Sequence, residues 1–396
     1  MNFFRRTWER LFPPVQTLPP GMYQYQAPAD AASPLRLHLR VEPDGQGLLI
    51  VNASTVIHLN STATEYVYHL IKQAPEDQVV NEIARRYNTR KEIIRRDYHD
   101  LKDRLQALVS TTDLDPVSDL GFERQEPYSG SLAAPYRLDC ALTYHLPDGV
   151  GHIAPMERVA RELTQEEWEK VLDKAWNAGI PHAVFTGGEP TLRPDLSSLV
   201  AHAEALGMVT GLITNGLRLA ESKYLHDLLQ SGLDHVMILL DSTDEQSWEA
   251  VRDTLQEDIS LTVHLTLNHH ELAHFDETLD HLATLGVQNI SLSAESLDYK
   301  PALEEKRQAI AERHLRLVWD LPVPYSHLHP VAMELAETVP DTDVVISGPG
   351  QAWLYVEPDG DVLPGQGFYQ EVLGNLLIDP WETIWHNAQQ MAAPAR

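Results

Sequence analysis

Cysteine is nearly absent: the 396 residues contain one, Cys140. A single thiol excludes an intrachain disulfide and any metal centre built from several thiolates of this chain. Basic side chains are scarce as well, 30 against 58 acidic ones, which leaves a formal charge of −28. A phosphate backbone is repelled by such a chain unless a local Lys/Arg cluster overrides the field. With no basic patch read as strong enough to do so, nucleic acid is not the expected partner. Long apolar runs are missing too. Nothing approaches the roughly 20 residues of a membrane span, and the opening MNFFRRTWERLF, then Pro13 and Pro14, has no signal-peptide apolar stretch. The expectation is a cytoplasmic protein; Phe3, Phe4, Trp8, Leu11 and Phe12, opposite Arg5, Arg6 and Arg10, read as a local packing element, with a short amphipathic anchor as the alternative.

What is present is enough apolar residue, 43%, for two or three domains at about 100 to 200 residues each. Residues 1–34 read as an N-terminal extension. Over 35–110 the chain reads as three strands, LRLHLRVEP, GLLIVNA and TVIHLN, with a turn at Pro43-Asp44-Gly45, and then three helices. Ser61 is the expected N-cap of the first helix, and Ile93, Ile94, Tyr98, Leu101, Leu105 and Leu108 form one stripe of the third. This is a small winged-helix-like unit. Residues 111–135, rich in Ser, Asp, Gly and Pro, read as a linker.

From 136 to 325 the pattern changes to strand-helix alternation: RLDCALTYHL, a helix opened at Thr164 with Glu167 in a capping box, then AVFTG, MVTGLIT, HVMILLD, SLTVHLTLN and NISLSA with helices between. Repeated βα units require a parallel sheet, and the ligand site belongs at the C-terminal strand ends. Residues 326–396 form a further block with a hairpin at Asp359-Gly360. The most specific string is Thr186-Gly187-Gly188-Glu189-Pro190, at the end of the second barrel strand. Glycines there admit close backbone approach, and proline stiffens the exit.

With that string, with Thr214-Asn215-Gly216, with Asp241-Ser242 ahead of Arg252, and with Asn268, the chain resembles the radical S-adenosylmethionine (radical SAM) superfamily. The resemblance implies an α/β fold with a partial (β/α)6 barrel. It also implies SAM contacts at Gly187, Gly188, Glu189, Pro190, Thr214, Asn215, Asp241, Ser242 and Asn268. On this reading Glu189→Ala weakens SAM binding and leaves melting nearly unchanged. Residues 35–110, with LNSTATEY, resemble the PqqD-like peptide-recognition domain. That likeness implies a precursor (leader) peptide docked as an added strand along Thr55, Val56, Ile57 and His58 and against the third helix near Arg96. The C-terminal block, through its PDG hairpin and Val362-Leu363-Pro364, resembles the SPASM extension of peptide-maturing radical SAM enzymes.

The departure lies in the cysteines. The family's CxxxCxxC loop follows a Leu-Thr-Tyr strand end and gives three thiolates to a [4Fe-4S] cluster whose iron chelates the amino acid end of SAM. Here Leu142-Thr143-Tyr144 runs into His145-Leu146-Pro147-Asp148-Gly149-Val150-Gly151-His152. The SPASM positions likewise carry Ser347-Gly348 and Gly365. An iron-sulfur cluster is therefore not expected, whereas SAM binding does not require one. His145 and His152, with Asp148 between, suit a mononuclear metal better than a cluster. A solvated loop explains them equally.

The leading expectation is a catalytically degenerate, cluster-free radical SAM-like protein that binds a precursor peptide in a peptide-modification pathway, beside an active partner maturase. Two alternatives stand: an active maturase with an unusual or partner-supplied cluster, and a non-radical metal- or SAM-dependent enzyme centred on His145, His152 and Glu189.

Overall fold

The computed structural model describes residues 18–28, 35–52, 55–110, 120, 132–147, 158–295, 297–318 and 348–392. The N-terminal Phe/Trp segment, Asp148, His152 and Ser347 lie outside the described residues. The chain divides into two compact units, Met1–Ala133 and Ala134–Arg396. No helix among the described residues is long and apolar enough to cross a membrane.

In the first unit, β1 (Gly21–Gln26), β2 (Arg36–Val41), β3 (Gly47–Val51) and β4 (Thr55–Leu59) form an antiparallel sheet in that order. The helices α1 (Ser61–Ile71), α2 (Glu76–Arg86) and α3 (Lys91–Ser110) follow. At the β2–β3 turn Gly45 takes φ +85, which the turn requires, and Glu42 and Gly45 close it by a 2.9 Å backbone bond. Alternation places Leu37, Leu39, Leu49, Ile57 and Leu59 on one sheet face, in one core with Val79, Ile83, Tyr98 and Leu101 of the helices.

Two local details differ from expectation. Asn60, not Ser61, caps α1, because its extended backbone lets its side-chain oxygen accept from the Ala63 amide at 3.0 Å. The segment expected as a plain extension holds β1, which pairs with β2 along its whole length. Its half-buried Tyr23 and Tyr25 alternate with exposed Gln24 and Gln26 and pack on the core; Tyr23 lies edge-on to Tyr68 at 4.9 Å and donates to the Pro19 carbonyl.

The second unit follows the expected alternation. The parallel strands β5 (Arg137–Thr143), β6 (His182–Gly187), β7 (Val209–Thr214), β8 (His235–Leu239), β9 (Ser260–Leu267) and β10 (Asn289–Ala294) lie side by side in sequence order. Between them run α4 (Gln165–Ala178), α5 (Leu196–Leu206), α6 (Ser222–Gln230), α7 (Glu245–Thr254) and α8 (His269–Leu285). After β10 come α9 (Lys300–Glu312) and the short β11 (Arg316–Leu317) at one sheet edge. On the other side β12 (Trp353–Val356) adds parallel to β5, and β13 (Asp361–Leu363) and β14 (Gly374–Asn375) continue antiparallel. The final helix is α10 (Trp381–Ala392). This α/β unit with a mainly parallel sheet is the partial-barrel architecture expected, and the Thr164–Glu167 capping box opens α4.

One face of the sheet is polar at its N-terminal end and apolar above. Arg137 binds Asp139 at 2.6 and 3.0 Å and lies over the Trp353 ring, 5.0 Å from its centroid. His182 and His235, the first residues of β6 and β8, meet across β7 with Nε2 atoms 2.7 Å apart. Gly211 makes room for them, since a Cβ there would fall 2.2 Å from the His235 ring. Val184, Ile213, Met237 and Leu239 pack as the next layer.

Burial, reinforced by Arg137, pushes His235 down to about 4 from 6.5. The unfolded chain then takes up a proton that the folded one refuses, so stability is complete above pH 6.5 and is lost as pH falls toward 4. At about 1.4 kcal/mol per unit the loss amounts to roughly 3 kcal/mol. His235→Gln is expected to flatten this dependence in urea melts taken between those two pH values; an equal slope in the variant would remove His235 from the account.

Candidate functional site

The strand ends expected to carry the site converge on one buried carboxylate. Gly187 ends β6 with φ +130, and a Cβ there would lie 2.1 Å from the Thr143 carbonyl oxygen. At Gly188 it would lie 2.5 Å from that of His145. Both glycines are needed because the β6 exit is bonded to the β5 exit: the Gly188 amide donates to Thr143 at 2.7 Å and the Glu189 amide to His145 at 2.8 Å. Pro190 then starts a short helical turn, Pro190–Leu192.

Glu189 is 2% exposed. Its Oε1 accepts from the Thr191 amide (3.0 Å), the Thr191 hydroxyl (2.6 Å) and the Thr214 hydroxyl (2.7 Å), and its Oε2 accepts from the Asn215 amide (2.8 Å). Burial raises its pKa, while these bonds pull it back down. Asn215 itself accepts from the Leu217 amide. Thus Gly187, Gly188, Glu189, Pro190, Thr214 and Asn215 come together as one clamp between β6 and β7.

Asp241, Ser242 and Asn268 gather at the neighbouring exits of β8 and β9. Asp241 accepts from the amide and hydroxyl of Thr243 at 3.0 and 2.6 Å. Asn268 is the N-cap of α8, accepting from the Glu271 amide at 2.8 Å, so this helix begins at His269, ahead of the His274 start expected from the sequence pattern. His269, His270 and His274 therefore lie within its first turns, and no ligand-like grouping of them with acids occurs among the described residues. Ser242 donates to Glu271 at 2.7 Å, and the other oxygen of Glu271 is buried without a partner. Glu271 escaped sequence reasoning because a first-turn glutamate is ordinary for a helix. The Thr186 hydroxyl is a second orphan, buried at the end of β6.

At the β5 exit, Thr143 donates to Glu162 at 2.5 Å, and Arg193 binds Asp195 by two bonds and the Leu142 and Leu163 carbonyls at 3.1 Å. Tyr144 donates to Glu357 at 3.2 Å, and Arg158 reaches the same carboxylate at 2.7 and 3.3 Å. His145 is 65% exposed and 3.7 Å from Glu162. Among the described residues no three His, Cys, Asp or Glu side chains are grouped to hold a metal.

Cys140 is fully buried and pairs in register with Phe185 and Val356. Its neighbour Ala141 packs with Tyr144, Tyr355 and Leu363, so alternation turns the thiol to the opposite face. Burial, with Asp139 adding to it, raises the thiol pKa well above its ordinary value. A cubane cluster is held by thiolates. The donor set of this chain does not fit one.

The expected peptide residues Thr55, Val56, Ile57 and His58 occupy β4, which ends the sheet order of the first unit. Val56 is 44% exposed, whereas Ile57 is in the core. Burial, then Arg40, lowers the His58 pKa. Arg96 projects into solvent from α3 and pairs with the adjacent Asp97 at 3.0 Å.

Comparison with known proteins accords with this geometry. Residues 140–261 match the radical SAM superfamily. The PqqA peptide cyclase of Streptomyces rochei is 28% identical over 294 residues, 66% of this chain and 79% of that protein. Streptococcus suis SuiB bound to its precursor peptide SuiA shares the fold at TM-score 0.56 and 14% identity, over 88% of this chain and 86% of that one. SuiB bound to S-adenosylmethionine gives TM-score 0.55 at 14% identity, over 91% and 88%. The chain carries a radical SAM domain, and the resemblance to peptide-modifying members of that superfamily holds.

The clamp makes Glu189 a structural residue as well as a ligand candidate, so near-unchanged melting is no longer the expectation for its removal. Glu189→Ala strands two hydroxyls and two amides, each costing about 1–3 kcal/mol. A loss of at least about 3 kcal/mol in denaturant melts is expected; an unchanged midpoint would contradict the clamp.

Proposed function

We propose that this chain is a cluster-free relative of radical SAM peptide maturases that binds a ribosomal precursor peptide and a SAM-type nucleoside and acts beside an active partner maturase. The observation that carries the reading is the supply of donors: one thiol, inside a strand and on the face away from the β5 exit residues Ala141 and Tyr144. Reductive cleavage of a sulfonium needs an electron delivered through a redox centre. This polypeptide has no thiolate set to hold that centre, so the radical step falls to another protein.

Peptide recognition is assigned to the first unit, read as PqqD-like. The precursor adds as a strand along Thr55–Leu59, where backbone groups give affinity and the side chains of Val56 and His58 give selectivity, with α3 near Arg96 as the flanking wall. Support comes from the edge position of β4, from similarity to a peptide cyclase, and from SuiB, whose structure holds a precursor peptide.

The SAM-type ligand is assigned to the barrel mouth. Glu189 Oε2 accepts one bond and so keeps acceptor capacity for an ammonium group, and the orphan Thr186 hydroxyl and Glu271 oxygen are compatible with a polar ligand. Asp241, Ser242 and Asn268 shape the adjoining exits. The β12–β14 block, read as a SPASM-like extension, is fastened to the β5 exit by Glu357, Arg158 and Tyr144.

Fluorescence anisotropy tests the assignment, with a short precursor peptide sought among the open reading frames beside this one as the probe. The full chain is expected to bind it, and the second unit alone, starting at Ala134, is expected to show no measurable binding. Undiminished affinity of the second unit would place recognition in the barrel.

A further inference from the structure

We propose that Arg218 and Tyr224 form a carboxylate site at the barrel mouth which, together with Glu189, recognises the α-amino-acid end of an amino-acid-bearing nucleoside. The inference deepens the nucleoside reading above and rests on it.

Arg218 lies just beyond Thr214-Asn215-Gly216, in the short helical turn Leu217–Ala220. Its Nη1 donates to the Thr191 carbonyl at 2.5 Å, and its guanidinium carbon stacks 3.8 Å from the Tyr224 ring centroid. No carboxylate among the described residues pairs with it. The contrast is local: Arg137, Arg158 and Arg193 in the same unit are each bonded to an acid. With 58 acidic and 30 basic side chains in the sequence, a half-buried arginine without a counter-charge calls for an anion. Its Nε and Nη2 donors remain for one.

Tyr224 supplies the second observation. Its hydroxyl is buried and has no hydrogen-bond partner, although buried phenols normally find one. Burial, with Glu189 and Glu221 adding to it, pushes its pKa up to about 12, so at neutral pH the group is a donor. A guanidinium and a phenol O–H side by side are both donors to a carboxylate.

Thr191 joins this pair to Glu189. Its carbonyl binds Arg218, while its amide and hydroxyl bind Glu189. A cation and an anion thus flank one residue, Glu189 with residual acceptor capacity on Oε2 and Arg218 with two free donor groups. That arrangement complements a zwitterion: ammonium toward Glu189, carboxylate toward Arg218. Family resemblance gives this end of SAM to cluster iron, for which the present chain has no thiolates. Arg218 and Tyr224 hold it instead.

Calorimetry on the full chain tests the proposal with S-adenosylhomocysteine and with 5′-methylthioadenosine, which lacks the amino acid end. Charge-assisted hydrogen bonds lost on truncation predict that the parent binds the former at least about tenfold more tightly. Arg218→Gln is expected to remove most of that preference, the Glu189 contact to the ammonium remaining, and leave methylthioadenosine binding within about twofold; Tyr224→Phe, a milder change, is expected to weaken only S-adenosylhomocysteine, by roughly threefold to tenfold. Equal binding of both compounds by the parent overturns the carboxylate site while sparing the nucleoside reading. So does an undiminished preference in either variant. Binding of neither compound overturns both readings. Should Arg218→Gln lose its folded circular-dichroism signal, Tyr224→Phe decides alone.

Discussion

A carboxylate buried as deeply as that of Glu189 is tolerable only if its oxygens are hydrogen-bonded, and everything at the barrel mouth follows from how that is done. Four donors from Thr191, Thr214 and Asn215 surround it. Those donors belong to the exits of two adjacent strands, and the Gly188 and Glu189 amides fasten the same turn to a third. Three strand ends are thereby set relative to one another by one side chain and the backbone amides of its turn. The glycines before it serve the same end, since any Cβ would drive the β5 and β6 exits apart.

Around that hub further side-chain bonds link the strand exits. Glu357 collects Tyr144 and Arg158, so the end of β5, the segment entering α4 and the C-terminal hairpin meet at a second buried acid. Arg193 does similar work beneath the β5 exit, held by Asp195 while it satisfies two carbonyls. At the other end of the strands, Arg137, Asp139 and the His182–His235 pair form a polar floor under the apolar layer. Among these arginines Arg218 pairs with no carboxylate of the described residues, which is why ligand recognition is placed there.

Much of this was legible in the sequence, for physical reasons that are local. Alternation of apolar runs with capped helices gave the barrel, because strand and helix periods differ along the chain itself. The Gly-Gly-Glu-Pro string stood out because such a turn needs residues few other turns need. What stayed hidden depends on distance along the chain. Arg158 and Glu357 are 199 residues apart, and Glu189 and Thr214 are 25 apart. Nothing in their own neighbourhoods marks them as partners. The edge strand β1 was missed because its alternation is short and rests on two half-buried tyrosines between exposed glutamines, with no aliphatic run to mark it. The start of α8 was missed because His269 and His270 interrupt the apolar stripe, while the Asn268 cap that fixes it had been read as a ligand residue.

The central claim is that side chains alone, without a thiolate-held cubane, fix the mouth of this barrel. Mössbauer spectroscopy of the purified full chain, after anaerobic incubation with labelled iron and sulfide followed by desalting, tests it most directly. The account predicts no cubane spectrum and only sub-stoichiometric adventitious iron. A stoichiometric [4Fe-4S] signal that responds to added S-adenosylmethionine would contradict it.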